Sequence, residues 1–169
     1  MNVNRLFLLL ALGLAIALWL YGRYVAIPRP PHKRPPGVTS PGNRRVEKAD
    51  DEWESILTRA QYVVMRGRGT EWAGSSDLLH EHRPGTFICT GCQNPLFSSA
   101  TKFESNTGWP SFYTPIVANA IYTEPDGGRT EVCCAVCDAH LGHVFSDGPA
   151  PTGLRYCMNG VAMQFRQNR

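Results

Sequence analysis

The sequence predicts a small, mainly β, antiparallel domain clipped by a metal ion, carried behind one N-terminal helix long enough to cross a membrane. Three observations predict it. After Gly67, short apolar runs alternate with Gly, Pro, Asn and Asp, the punctuation of strands and tight turns. Four of the six cysteines fall in two Cys-x-x-Cys pairs. Residues 6–22, LFLLLALGLAIALWLYG, carry no charge.

The N-terminal segment comes first. Arg23 interrupts the apolar run, and residues 24–27 continue it. A helix over 6–27 spans roughly 33 Å at about 1.5 Å per residue, enough for a hydrocarbon core of about 30 Å. Trp19, Tyr21 and Tyr24 gather at one end, where aromatic rings favour the interface. Arg23 can extend to the headgroups. The competing reading is a cleaved signal peptide, but Tyr24-Val25-Ala26 makes a poor cleavage site. We therefore divide the chain into an anchor (1–27), a basic linker (28–48) and a globular domain (49–169). The cations Arg23, Arg29, Lys33 and Arg34 outnumber Arg5 across the segment and favour a cytoplasmic domain. The export-like apolar segment favours the other side, so the side stays open.

The linker carries six prolines within PRPPHKRPPGVTSPGNRR and almost no apolar bulk. It reads as a stiff, polyproline-like spacer holding the domain off the bilayer. A docking peptide for a proline-recognising domain is the alternative. Charge separates tail from domain. Residues 1–48 hold eight Lys/Arg and one acid, whereas 49–169 hold nine and thirteen. The basic tail suits anionic lipid. The acidic domain repels phosphate backbones, so nucleic-acid binding is not expected.

At the start of the domain, residues 47–62 place acids first and then Trp53, Ile56, Leu57 and Ala60 at helical spacing. This predicts one short amphipathic helix. The remainder predicts short strands.

Cys89-Thr90-Gly91-Cys92 and Cys134-Ala135-Val136-Cys137 form two knuckles. Each can present two sulfurs on one side of a tight turn, for which Gly91 is suited. Facing each other, Cys89, Cys92, Cys134 and Cys137 supply a closed tetrahedral site, the arrangement of one structural Zn²⁺. Such a clip joins strand regions distant in sequence. Two redox-active pairs are the alternative, but these require a pair opening a helix in a βαβ context, which is absent.

Cys157 stands apart from the knuckles. Arg155 and Asn159 flank it at two-residue spacing, so in a strand all three share one face. A cation and an amide beside a thiol favour the nucleophilic thiolate. His140 and His143 follow the second knuckle closely and are suited to proton transfer near neutral pH.

These residues lie in motifs with a specific resemblance. Residues 134–145 (CAVCDAHLGHVF), 147–149 (DGP) and 152–159 (TGLRYCMN) resemble the C-terminal signature of the methionine sulfoxide reductase B family. Upstream, GTE at 69–71, GTFICTGC at 85–92, LF at 96–97, KFES at 102–105 and GWPSF at 108–112 are similar to the same family, in the same order. The resemblance implies two antiparallel sheets arranged as a tent, a structural Cys₄ zinc, and reduction of the R epimer of methionine sulfoxide in proteins or peptides. It implies Cys157 as the nucleophile, which becomes a sulfenic acid. It implies His140, His143 and Asn159 around the sulfoxide oxygen, and Arg155 beside the thiolate. It implies Trp109 as the wall of the methyl pocket, with Phe145 and His82 near the site.

One position departs from the family pattern. Thr107 stands where many members carry a resolving cysteine. Cys133 is the remaining cysteine and, in a strand, points away from the face of Cys134; it reads as a packing or surface thiol. Recycling is then expected from an external thiol such as thioredoxin. Two other functions compete. A zinc-ribbon interaction module leaves Cys157, the histidines and Trp109 without a role. A membrane-tethered thiol–disulfide oxidoreductase needs a redox pair, and both pairs are better used on zinc.

Overall fold

The computed structural model describes His32 and residues 34–168. The apolar segment 6–27, and with it the expected anchor, lies outside them. Among the described residues no helix is long and apolar enough to cross a membrane.

The expected single helix is two. Helix α1 runs Asp50–Ile56 and α2 runs Arg59–Met65. Leu57 turns extended (ψ 143°), and Thr58 starts again with a capping box. Gln61 N donates to Thr58 Oγ1 at 3.3 Å, and Thr58 N donates to Gln61 Oε1 at 2.9 Å. This reciprocal cap outweighs the continuous apolar period. Both helices still reach one core, through Trp53 and Leu57 and through Val64 and Met65.

Nine strands follow: β1 Gly85–Cys89, β2 Pro95–Ser98, β3 Lys102–Phe103, β4 Ser111–Phe112, β5 Ile121–Asp126, β6 Arg129–Cys134, β7 His140–Phe145, β8 Arg155–Met158 and β9 Met163–Gln167. They form two antiparallel sheets, as expected. One has the order β2-β1-β9, the other β3-β4-β8-β7-β6-β5. Aromatic rings lock the sheets together. Phe87 of β1 and Phe97 of β2 meet Phe112 of β4 at centroid distances of 4.9 and 4.4 Å. All three are fully buried, each stabilising the fold by about 1.5–3 kcal/mol.

Strand alternation gives the large sheet two distinct faces. Phe112, Met158 and Val132 turn into the core. The opposite face is set by register. Ser111 pairs with Cys157, Cys157 with His143, His143 with Glu131, and Glu131 with Glu124. This row of polar residues lies across five strands.

The described part of the proline-rich linker does not stand clear of the domain. Val46 N donates to Val136 O at 2.9 Å, and Arg45 Nη2 meets Asp138 Oδ2 at 2.5 Å. Arg34 donates to the Ala135 carbonyl, and Ser40 is buried. Composition suggested a bare spacer because it lacks apolar bulk; its cations instead pair with an acid and carbonyls of the second knuckle.

Candidate active site and metal centre

The knuckles close β1 and β6. In each, the residue after the second cysteine takes a left-handed conformation: Gln93 (φ 61°) and Asp138 (φ 56°). Their amides donate back to Cys89 O and Cys134 O, both at 2.9 Å. Gly91 lies in the first turn but is not its left-handed residue. A Cβ there would crowd Trp53 and Met65, at 3.2 and 3.3 Å, so Gly91 serves helix packing. All four cysteines are buried, with sulfurs within 4.8 Å of one another. Cys89 and Cys137 Sγ lie 3.7 Å apart, Cys92 and Cys134 Sγ 3.5 Å. A tetrahedron with metal–sulfur bonds of about 2.3 Å has edges of about 3.8 Å. The four thiols can therefore hold a metal ion, and leave no protein-free corner for a substrate.

Cys157 differs from the other five cysteines in being only partly buried. Thr107 Oγ1 lies 3.8 Å from its sulfur. Thr107 bonds Ser105, which bonds Ser111, at 2.8 and 2.7 Å. Arg155 stands two residues before Cys157 on the regular strand β8, on the same face. Its guanidinium grips Asp147 with two bonds of 2.9 Å and covers the Phe145 ring at 4.4 Å. That grip holds the Asp147 carboxyl below its usual range.

His140 and His143 are three positions apart, which in a regular strand places them on opposite faces. A bulge removes the conflict. Glu131 pairs with His143 and Val132 with Gly142, but Cys133 pairs with His140. One extra residue of β7 shifts the alternation. Gly142 permits it, because a Cβ there would strike the Cys157 carbonyl oxygen. The two rings then lie 5.4 Å apart. His143 Nε2 bonds Asp126 Oδ2 at 2.9 Å. His140 Nδ1 bonds Glu131 Oε1 at 2.5 Å. His140 Nε2, also buried, has no hydrogen-bond partner among the described residues. Burial holds the His140 imidazole below its ordinary pKa, against the opposing pull of Glu131.

Glu131 is fully buried. Burial pushes its carboxyl up, but bonds from His140, His32 and Arg68 outweigh that and hold it well below the carboxylate range. Arg68 Nε donates to Glu131 Oε1 at 3.2 Å, and Nη2 to Oε2.

Asn159 is more committed than expected. Its Oδ1 accepts from Glu71 N at 3.0 Å, and its Nδ2 donates to Leu141 O at 3.1 Å. Trp109 Nε1 donates to Glu71 O at 3.2 Å. The Glu71 carboxylate accepts from Gly160 N and Val161 N, at 2.5 and 3.0 Å. Asn159 and Trp109 are thus tied to one segment. Trp109 is only partly buried, so its ring is not a core side chain. It stands two residues before Ser111, opposite Cys157. His82 is exposed and meets Glu104 Oε1 at 3.8 Å, on the rim next to Ser105.

Cys133 shares the face of Glu131, not that of the Cys134 sulfur. Strand β7 separates it from Cys157 on β8. Two strand spacings amount to about 10 Å, against about 4 Å between the β carbons of a disulfide. Cys133 is fully buried, and burial pushes its thiol pKa up.

Sequence reasoning missed Glu131, Arg68, Asp126 and Glu71. A signal for Glu131 existed, since an acid alternates there with core-facing Val132 and Cys134.

An accessible thiol beside imidazoles and a guanidinium, on a β fold with a separate sulfur cluster, defines the class as a thiol-based oxidoreductase. The SelR domain family matches residues 57–167. The peptide methionine sulfoxide reductase MsrB of Pseudomonas putida (strain GB-1) is 52% identical over 127 residues, covering 73% of this chain and 97% of that protein. MsrB of Methanosarcina barkeri (strain Fusaro / DSM 804) is 48% identical over 127 residues, covering 73% and 89%. MsrB of Leptospira interrogans (serovar Lai) is 45% identical over 129 residues, covering 74% and 98%. The chain belongs to the SelR domain, or MsrB, family.

Proposed function

We propose that the chain reduces the R epimer of methionine sulfoxide in proteins and peptides, repairing oxidised methionine. The observation that carries this reading is the setting of Cys157, the partly exposed thiol beside Arg155 and Thr107 and opposite His143. Family membership supports the substrate.

Cys157 attacks the sulfoxide as a thiolate, with Arg155 supplying positive charge beside it. The S–O bond of the substrate breaks as its oxygen is protonated. His140 and His143 supply and relay the protons, with Glu131 and Asp126 orienting their rings. The buried Nε2 of His140, without a hydrogen-bond partner among the described residues, is the nitrogen available for this. Asn159 acts by holding the Glu71 segment that carries the bond to Trp109, and Trp109 walls the methyl pocket with Phe145. His82 contributes at the rim. The balance is one thiol plus one sulfoxide giving one sulfenic acid plus one thioether. Cys157 sulfur is oxidised by two electrons and the substrate sulfur is reduced by two.

Two molecules of an external thiol, or one dithiol such as thioredoxin, then return Cys157 to the thiol, releasing water and a disulfide. Zn²⁺ is the metal for Cys89, Cys92, Cys134 and Cys137, in a closed structural site. Residues 6–27 anchor the chain in a membrane. A zinc-ribbon interaction module does not account for the residues around Cys157.

Mass spectrometry after one turnover without reductant tests the thiol chemistry. A dimedone adduct on Cys157 is expected. A Cys133–Cys157 disulfide overturns the recycling scheme, and an unmodified Cys157 overturns the mechanism. In Thr107→Cys, the 3.8 Å approach of residue 107 to Cys157 predicts an internal disulfide instead, with faster turnover by thioredoxin.

A further inference from the structure

The polar face of the large sheet is closed at one place by a residue far outside the matched domain. His32, from the proline-rich segment, buries its ring so that only 4% of the side chain is exposed. Its Nδ1 lies 2.9 Å from Glu124 Oε1 and its Nε2 3.1 Å from Glu131 Oε1. Cys133 Sγ is 3.6 Å from the same Nε2. Glu131 Oε1 is also the oxygen bound by His140 Nδ1. One carboxylate oxygen therefore joins a linker imidazole to an active-site imidazole. The segment is held in place on both sides of the second knuckle. Arg34 donates to Ala135 O and its guanidinium lies 5.8 Å from the Tyr122 ring centre. Arg45 pairs with Asp138, and Val46 N with Val136 O.

We propose that His32 is a positioning residue for the reaction: docked on the sheet, it fixes Glu131, and through Glu131 it sets the orientation and basicity of His140. This rests on the sulfoxide reductase reading above.

Arg68 and His140 hold the Glu131 carboxylate from two sides, and His32 adds a third contact, at Oε1, that further restricts its rotation. Each ring nitrogen of His32 faces a carboxylate oxygen, and a ring donating from both satisfies both. Burial lowers the His140 pKa most, the charge of Glu131 raises it, and His32 acts against Glu131 by lowering it. The groups that face this pair are Glu124 from β5, Glu131 and Cys133 from β6, His143 from β7, Arg68 after α2, and His32 itself. The three-residue group His32, Glu131 and Cys133 also has ligand-like spacing. We do not assign a metal to it, because Arg68 and His140 already occupy the carboxylate of Glu131.

The test uses the full chain carrying His32→Ala or His32→Gln. His32→Ala is expected to lower kcat about tenfold with KM unchanged, as a general acid held less well loses part of its contribution. The alkaline limb of the kcat–pH profile is expected to move upward, because His140 then feels an undiluted Glu131. His32→Gln, which can donate to one carboxylate, is expected to recover part of kcat. Nitrogen NMR of the His140 ring gives the same comparison without turnover: its titration is expected to move upward in His32→Ala. A purely structural role lowers Tm and leaves limb and ring titration in place; that result overturns the proposal, as does unchanged kcat in both variants. If the wild-type chain does not reduce sulfoxides, the functional reading fails on its own, and the His140 titration still decides whether His32 governs that ring.

Discussion

Cys157→Ser is expected to abolish sulfoxide reduction, to below about 10⁻³ of wild type, while metal content and fold are retained. The physical basis is that a serine hydroxyl at neutral pH is a far weaker nucleophile than a thiolate and has no activating base at this position. Nor can oxygen replace sulfur as the two-electron reductant. The substitution is small, on a strand whose register with β4 and β7 is set by backbone bonds, so the variant should fold. Kinetics with dithiothreitol as reductant, alongside metal analysis and a melting curve, check it. Turnover retained by this variant removes Cys157 from the mechanism.

Loss of the metal is expected to have the second large effect, on stability rather than on rate. The knuckles close the ends of β1 and β6, which belong to different sheets, and their sulfurs sit at the edges of one tetrahedron. Without a cation, four buried thiols replace metal–sulfur bonds, and binding energy for such a site is largely folding energy. Cys92→Ser is therefore expected to lose the ion and unfold at 25 °C or melt tens of degrees lower. Circular dichroism with metal analysis checks this. A Cys92→Ser protein that melts as wild type with no metal contradicts a structural centre.

Much of this arrangement was legible in the chain. The spacing of Cys89, Cys92, Cys134 and Cys137 is local, and the four sulfurs do converge. Two-residue alternation correctly places Arg155 and Cys157 on one face, because β8 is regular there. Alternation fails one strand away, since it is blind to the bulge that brings His140 round to His143. It also makes Cys133 point as expected relative to Cys134, but that thiol is buried with Tyr122, Ala135 and Val38 and meets His32, 101 residues away. Long-range partners explain the other gaps. Glu131 is satisfied by Arg68, 63 residues distant, and Asn159 by Glu71, 88 residues distant. No window of sequence contains both members of such a pair. The break between α1 and α2 was the opposite case. Thr58 and Gln61 carry a local capping signature that a stronger apolar period concealed.

The composition of the linker misleads for a related reason. Proline and basic residues without apolar bulk describe a segment that cannot form a core, yet Arg34, Arg45 and His32 bind to a surface that already exists. Charge complementarity with Asp138, Glu124 and Glu131 decides their position, and the acids become visible as a patch only once β5 and β6 pair.

Cys157 and its neighbours are proposed to reduce one epimer of methionine sulfoxide. The most direct measurement offers the purified full chain the R and S sulfoxides of a methionine peptide separately, with dithiothreitol, and follows the thioether product. Conversion of the R epimer with the S epimer left intact is the result predicted here. No reduction of either, or reduction of the S epimer alone, contradicts the account.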